Sequence, residues 1–399
     1  MDKEAGKKIK ILFVSHSARL YGAEQSLLLF LTHMDRERFE PVVVIPEDGL
    51  LADRLCALKI KYYKIRCPWW ISGRRGIFLF ILKLIYNFLM EIYVTLRLTK
   101  VIYTEKPDLV YTNTMVILSG ALAARLTRKP HVWHLREIVI GNQNWQSFLP
   151  KKYLFSTITK LSKIVLIVSY AVKEQFSSDG PEGKLNVVGD AVEPMQNEFP
   201  ASDDQDLGLR DDDWLIAFVG SLQKLKAPDI AIKAFCDVKK KCPKTKLLIF
   251  GTGEYAYKEY LQKLVNDCLL DQDVLFLGFR SDIHNILKNC KISLLCSTME
   301  AFPRAVIESM SAGLPVIGTN VGGIKEIIQD GVTGFLVPVN DPKSVAEKII
   351  ELYGNEELSR CMGLKGQEVI SQQYGVDDYV RRIEKECLLA IAGKPDARL

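Results

Sequence analysis

The sequence predicts an α/β chain built from two doubly wound, Rossmann-like domains. Three observations predict it. Apolar, strand-like runs alternate with amphipathic helical stretches along nearly the whole chain. Many runs are continuously apolar and rich in Val and Ile, as parallel strands buried on both faces are. The alternation breaks once, at residues 195–213, where MQNEFPASDDQDLGLRDDD is polar, acidic and non-periodic.

Before the break the strand-like runs are Ile9–His16, Pro41–Pro46, Asp108–Asn113, His131–Leu135 and Ile164–Ser169. After it they are Trp214–Gly220, Lys246–Gly251, Val274–Gly278, Ile292–Ser297, Pro315–Thr319 and Gly334–Pro338. Helices between such runs make βαβ units and an open parallel sheet on each side of the break. The expected domains are 1–195 and 214–375, joined by a linker at 196–213. Residues 376–399 form a last segment, helical in pattern over Val376–Ala392, expected to pack back on the N-terminal domain. Asp211–Asp213 looks like a D-x-D metal motif, but it sits among other acidic residues in the linker and reads as a solvated charge run.

Composition narrows the function. The chain has 399 residues, 48% hydrophobic and 25% charged, as in soluble globular protein with sizeable cores. A net charge of +5 is too mild for nucleic acid to be the main partner, and no zinc-finger or RNA-binding signature is present. The nine cysteines are scattered with no C-x-x-C pair, which reads as buried free thiols in a reducing compartment. The N-terminus, MDKEAGKKIKILFVSH, has no apolar h-region. The most apolar window, Ile77–Met90, contains Lys83 and Asn87 and falls short of the roughly twenty residues a membrane span needs. A cytoplasmic location follows.

The chemistry concentrates in 291–338, KISLLCSTMEAFPRAVIESMSAGLPVIGTNVGGIKEIIQDGVTGFLVP. A strand ends at Ser297 and a short loop carries Glu300. Pro303 is expected as the first helical residue, where its missing N–H does no harm. The helix Arg304–Ala312 ends at Gly313, with Pro315 beyond. The start of this helix therefore leaves the carboxyl edge of the sheet, where free N–H groups and the helix dipole favour a phosphate. Glu300 lies before the helix and Glu308 more than a turn inside it. One carboxylate can reach a sugar hydroxyl and the other a ribose diol. Either Glu alone reads as a surface or capping charge; the combination with the surrounding Pro and Gly punctuation does not.

The Glu-x7-Glu spacing of Glu300 and Glu308, followed by SAGLPVIGTNVGGIKEII and DGVTGFLVP, resembles the family 4 retaining glycosyltransferases of GT-B fold. VSHSARLYGAEQSLLLFL, KPDLVYTN, HVWHLRE, VGSLQKLKAPDIAIKAF, IFGTGE and FLGFRSDI resemble further landmarks of that family, in the family's order, so the likeness covers nearly the whole chain. It implies two Rossmann-like domains facing across a cleft and no cofactor beyond a nucleotide-diphosphate sugar as donor substrate. Glu308 would bind the donor ribose, Glu300 the transferred sugar, and the backbone at Ala301, Phe302 and Pro303 would lie near the diphosphate. Lys226 would bind phosphate, His134 would face the sugar, and Arg280 would flank the base. Gly220, Ser221, Gly251 and Gly253 would line the donor loops. Tyr21, Gly22 and Ala23 would lie on the acceptor side, a glycine there letting backbone approach a ligand.

Three departures from the family stand out. Ser221 replaces an Arg, Tyr21 stands where a glycine is usual, and Asp190-Ala191 replaces Asn-Gly. The first removes a diphosphate cation. The second reshapes the acceptor side and the third the hinge.

The resemblance implies glycosyl transfer with retention and no enzyme nucleophile. Catalysis would then rest on positioning and on neutralising the leaving diphosphate. With the helix dipole and Lys226 in that role, no metal is expected. Residues 59–106 hold ten Lys or Arg against two acidic residues, with Trp69 and Trp70 beside Arg74 and Arg75. This segment reads either as a core helix with a basic face or as an interfacial helix on anionic lipid. The second reading makes the enzyme peripheral on the cytoplasmic face of a membrane, acting on a lipid-linked or glycan acceptor. The alternatives are a nucleotide-sugar epimerase on the same fold and a catalytically weak sugar-nucleotide-binding protein.

Overall fold

The computed structural model describes residues 8–72, 77–139, 146–147, 150–176, 183–193, 209–210, 212–280 and 282–393, with backbone alone at 72, 77–85 and 146–147. Most of the acidic segment at 195–213 lies outside these residues. The chain forms two compact units. The first comprises Met1–Asp190 together with Val376–Leu399, and the second Ala191–Gly375.

The first unit runs β1 (Ile9–Val14), α1 (Gly22–His33), β2 (Phe39–Ile45), α2 (Leu50–Ala57), β3 (Lys61–Lys64), β4 (Ile71–Ser72) and α3 (Ile77–Glu105). It continues through β5 (Leu109–Thr112), α4 (Ser119–Leu126), β6 (His131–Leu135), β7 (Gln146–Ser147), α5 (Lys151–Leu161), β8 (Ile164–Ile167), α6 (Tyr170–Lys173) and β9 (Leu185–Val187). Seven strands form one sheet in the order β3-β2-β1-β5-β6-β8-β9, and every pairing is parallel. Its central strands β1, β5, β6 and β8 are almost wholly buried, which is why their sequences read as unbroken apolar runs.

The edge strands have no counterpart among the predicted runs. β3 is Lys-Tyr-Tyr-Lys and β9 is Leu-Asn-Val, both partly exposed. Edge strands are short and carry charge, so apolar continuity does not mark them.

The second unit runs β10 (Trp214–Val219), α7 (Pro228–Lys241), β11 (Thr245–Phe250), α8 (Tyr255–Asp267), β12 (Val274–Gly278), α9 (Ile283–Asn289) and β13 (Ile292–Leu295). It continues through α10 (Arg304–Ser311), β14 (Val316–Thr319), α11 (Ile324–Ile327), β15 (Gly334–Val337), α12 (Pro342–Gly354) and α13 (Glu356–Gln373). Its six strands form a parallel sheet in the order β12-β11-β10-β13-β14-β15. The order steps outward from β10 in both directions, the doubly wound arrangement that the alternation predicted.

The last helix, α14 (Val376–Ala392), belongs to the first unit. Tyr379, Ile383 and Cys387 are fully buried there. Glu384 accepts from the Asp35 backbone at 2.8 Å, and Asn186 donates to Glu386 at 2.7 Å.

Two expectations are corrected. Cys236, on α7, is bonded to Cys268, which caps α8, although the residues lie 32 apart with no motif joining them. Of the other seven cysteines, Cys56 and Cys361 are exposed, so the set is not one of buried free thiols. Trp70 is not a membrane anchor. It is turned into the core, stacks on Trp133 with centroids 6.0 Å apart, and donates to the Met115 carbonyl at 2.6 Å. No helix among the described residues is long and apolar enough to cross a membrane.

Candidate active site

All strands of the second sheet are parallel, so the loops after β10, β11, β12 and β13 leave by one edge. The loop after β10 turns back at Gln223, whose carbonyl accepts from the Lys226 backbone at 2.9 Å. Ala227 then takes a left-handed conformation (φ 48°) and Pro228 opens α7. The loop after β13 is clamped to this turn, because the Thr298 backbone donates to the Leu225 carbonyl at 2.8 Å. The clamp sets the Lys226 ammonium against Glu300 Oε2 as an ion pair. Ser297 donates to the same oxygen at 3.2 Å. Glu300 is only 9% exposed, so its carboxylate depends on these donors rather than on water.

A glycine pair holds the Glu300 backbone from the other side. Gly323 donates to the Glu300 carbonyl at 2.9 Å. A Cβ on Gly322, at φ +49°, would fall 1.9 Å from that carbonyl oxygen, and one on Gly323 would fall 2.5 Å from the Ala301 carbonyl. No side chain fits at either position. The Gly-Gly after β14 therefore presses directly on the backbone of Glu300 and Ala301. Gly251 and Gly253 serve the neighbouring loops in the same way. Their Cβ atoms would lie 2.0 Å from the Gly220 carbonyl and 2.1 Å from the Leu222 carbonyl. The turns carrying Gly220, Ser221 and Gly251 are thus locked together.

Pro303 is the N-cap of α10 rather than its first helical residue, and Ala312 is the C-cap. The shift is one residue, within the usual uncertainty of a helix end. Pro303 is buried, while Ala301 and Phe302 are half-buried. Phe302 packs against Tyr374 with ring centroids 6.0 Å apart. Glu308 lies 3.4 Å from Arg304, one turn earlier on the same helix. Arg280 is held in a fork by Asp282 at 2.8 and 2.6 Å, at the edge beyond β12.

In the first unit the carboxyl edge carries a separate polar network. Tyr21 caps α1 and is 58% exposed, Gly22 is the first helical residue, and the Ala23 carbonyl accepts from Asn113 at 2.9 Å. His16, just past β1, lies 3.1 Å from the fully buried Glu24 and packs at a tilt against Trp69. Burial opposes charge on His16, but Glu24 and then Glu137 outweigh it and raise its pKa. Arg136 donates to Asn113 at 3.0 Å and to Tyr379 at 3.0 Å, and lies 3.5 Å from Asp190. Glu137 accepts from the Met115 backbone at 2.9 Å.

His134 has no exposed surface. Its Nδ1 bonds the Tyr111 hydroxyl, and burial followed by the Arg136 charge holds its pKa well below the ordinary range. His134 is thus buried beneath α14 and held through Nδ1, while its Nε2 has no hydrogen-bond partner among the described residues.

The structure therefore brings Lys226, Glu300, Ala301, Gly220, Ser221, Gly251 and Gly253 to one edge, with Phe302 and Pro303 leading into α10 and Glu308 on it. It places Tyr21, Gly22 and Ala23 at the edge of the other unit and His134 in that unit's core. His16, Glu24, Arg136 and Glu137 are edge residues that the sequence reading did not select, and Asp190, noted there only for the hinge, joins them. The signal available for the first two was their position inside VSHSARLYGAEQ.

Residues 201–369 match the family described as glycosyl transferases group 1, and residues 21–195 match glycosyltransferase family 4. An N-acetyl-alpha-D-glucosaminyl L-malate synthase of Bacillus anthracis is 33% identical over 180 residues, covering 45% of this chain and 46% of that protein. A UDP-Gal:alpha-D-GlcNAc-diphosphoundecaprenol alpha-1,3-galactosyltransferase of Escherichia coli is 25% identical over 372 residues, covering 90% of this chain and 91% of its own. Among solved structures, Anabaena HepE in complex with UDP and glucose superposes with a TM-score of 0.79 at 22% identity, covering 95% of this chain and 99% of that one.

Proposed function

Because the chain belongs to the family 4 glycosyltransferases of the group 1 type, we propose that it moves a sugar from a nucleotide-diphosphate donor to a lipid-linked or surface-polysaccharide acceptor with retention at the anomeric carbon. The observation that carries this reading is the Lys226–Glu300 pair, fixed by Ser297, Thr298 and the Gly322–Gly323 turn at one edge of a parallel sheet.

In the proposed reaction the bond from the anomeric carbon to the donor phosphate breaks. A bond to the acceptor oxygen forms on the same face. The acceptor hydroxyl proton passes to the leaving phosphate oxygen. Lys226 stabilises the negative charge that develops on the diphosphate, aided by the start of α10. Glu300 orients the sugar and Glu308 the ribose. Arg280, tied to Asp282, shapes the base side. A lysine and a helix start in these positions perform the charge neutralisation that a divalent ion performs elsewhere, so turnover should persist in chelator.

The donor and acceptor classes draw support from the relatives. The Escherichia coli relative is named for a UDP-galactose donor and a diphosphoundecaprenol-linked acceptor, and HepE was solved with UDP and glucose. On the acceptor unit, α3 exposes Tyr86, Phe88, Leu89, Ile92, Tyr93 and Leu96. Arg97 lies 5.9 Å over the Tyr93 ring, and Lys100 follows within a turn. An apolar ridge flanked by cations suits a helix lying on an anionic membrane surface.

The test is nucleotide release from UDP-, GDP- and ADP-sugars in EDTA, with Glu308→Ala as control. Release from one donor, lost in the variant, supports the reading, and NMR of the product anomer checks retention. Absence of binding to any nucleotide sugar overturns it. Equal sedimentation with neutral and anionic vesicles would remove the membrane part alone.

A further inference from the structure

The first unit carries a second polar feature at the opposite edge of its sheet. A cavity of about 490 Å³ opens where β6, β8 and β9 begin. Arg125, Arg128, Lys129, Lys160, Lys163 and Lys184 all line it, and among the described residues no Asp or Glu does. Its volume falls within the range of small-ligand sites.

Helix ends account for part of this charge. The carboxyl ends of α4, α5 and α14 all reach the cavity. Each is equivalent to about half a negative charge, together about one and a half against six cations. Lys184 is already used, donating to the Thr159 and Ser162 carbonyls at 3.2 and 3.3 Å. The other five have no ion-pair partner among the described residues. Arg128 also holds a left-handed conformation (φ 53°), which a non-glycine residue adopts at a cost of roughly 1 kcal/mol. Arg125, Arg128, Lys160 and Lys163 are exposed around this opening and Lys129 is half-buried, so like charges surround it, and a bound anion relieves their mutual repulsion.

We propose that this cavity binds a small soluble anion bearing two or more phosphate groups, at a site separate from the donor edge. Two arginines supply the planar fork that matches phosphate oxygens, and the lysines supply point charges for a second and third group. A monovalent anion would leave most of the charge uncompensated. His131, at the cavity, bonds Thr112 at 2.8 Å and opens the five-residue strand β6, which ends at Leu135.

The proposal is tested by calorimetric titration of the full chain with inorganic tripolyphosphate at about 0.1 M salt, where exposed charges are screened beyond roughly 10 Å. Because the donor edge can also attract polyphosphate, the titration is run on Lys226→Ala protein. Binding should persist there. Adding Arg128→Asn and Lys163→Gln should weaken it at least about tenfold, the loss expected for two charge-assisted contacts. Asn tolerates the left-handed conformation, so the variant keeps its fold, checked by thermal unfolding. Unchanged affinity in that variant overturns the proposal. So does a variant that loses binding to anionic vesicles while keeping tripolyphosphate, which would make the surface a membrane contact.

Discussion

Lys226 and Glu300 stand 74 residues apart in sequence and form one ion pair at the edge of the second sheet. The pair is not an isolated surface bridge. Glu300 is buried, and its side chain also accepts from Ser297. Removing the lysine would leave a desolvated carboxylate where a diphosphate is proposed to bind. We expect Lys226→Ala to lower kcat by about 10²–10³, the range seen when a preorganised electrostatic donor is lost. Lys226→Arg should recover part of it. Steady-state kinetics with the identified donor decide the matter, and a loss under threefold would exclude the electrostatic role.

Gly322 offers a test of backbone approach rather than charge. Its φ of +49° and the 1.9 Å gap to the Glu300 carbonyl leave no room for a methyl group. Gly322→Ala should abolish turnover while circular dichroism stays native, because only the Glu300 loop must move. Gly331 is the control. It also has positive φ (+74°), but open space surrounds it, so Gly331→Ala should cost about 1 kcal/mol and leave kcat alone.

The core of the fold was legible because buried parallel strands write themselves as runs such as Ile164–Ile167. Edges were not, since Lys61–Lys64 carries charge by necessity. The Glu300–Glu308 spacing was legible because one loop and one helix set it. The Arg136–Asp190 and Cys236–Cys268 pairs were not, because topology alone chooses such partners. The burial of His134 was not legible either. A histidine near a strand's carboxyl end looks reactive, yet the packing of α14 over β6 decides which way it serves.

Glu91, on α3, gives an alkaline signature. Burial raises its pKa to about 7, with Ser119 pulling the other way. The unfolded chain releases this proton near its usual value of 4.5, so the folded state holds it longer. Stability therefore falls as pH rises from about 4.5 to 7 and stays reduced above. Glu91→Gln should stabilise the protein at pH 8 by about 1–3 kcal/mol and be nearly neutral at pH 4. Urea midpoints at the two pH values check the sign.

Glu105 behaves oppositely. Burial disfavours its charge, but Lys61 at 2.5 Å, Tyr63 and Lys10 at 3.3 Å outweigh it and lower its pKa to about 2. This contribution is complete above about 4.5 and is lost as pH falls towards 2. Glu105→Gln should cost about 1–3 kcal/mol at pH 7, discounted for the exposed Lys61, and progressively less below pH 4.5. A deficit that does not shrink in acid would contradict the assignment.

The first unit is assembled from two stretches of chain, with α14 joining β1–β9 only after the whole second unit has been written. Tyr379, on α14, supplies the hydroxyl that Arg136 requires, so the edge network of the first unit lacks a member until then. On the ribosome, where domains ordinarily mature from the amino end, this order is inverted. The second unit can reach its native state first. The first keeps the part of α1, β5 and β6 that α14 covers open until the final helix emerges.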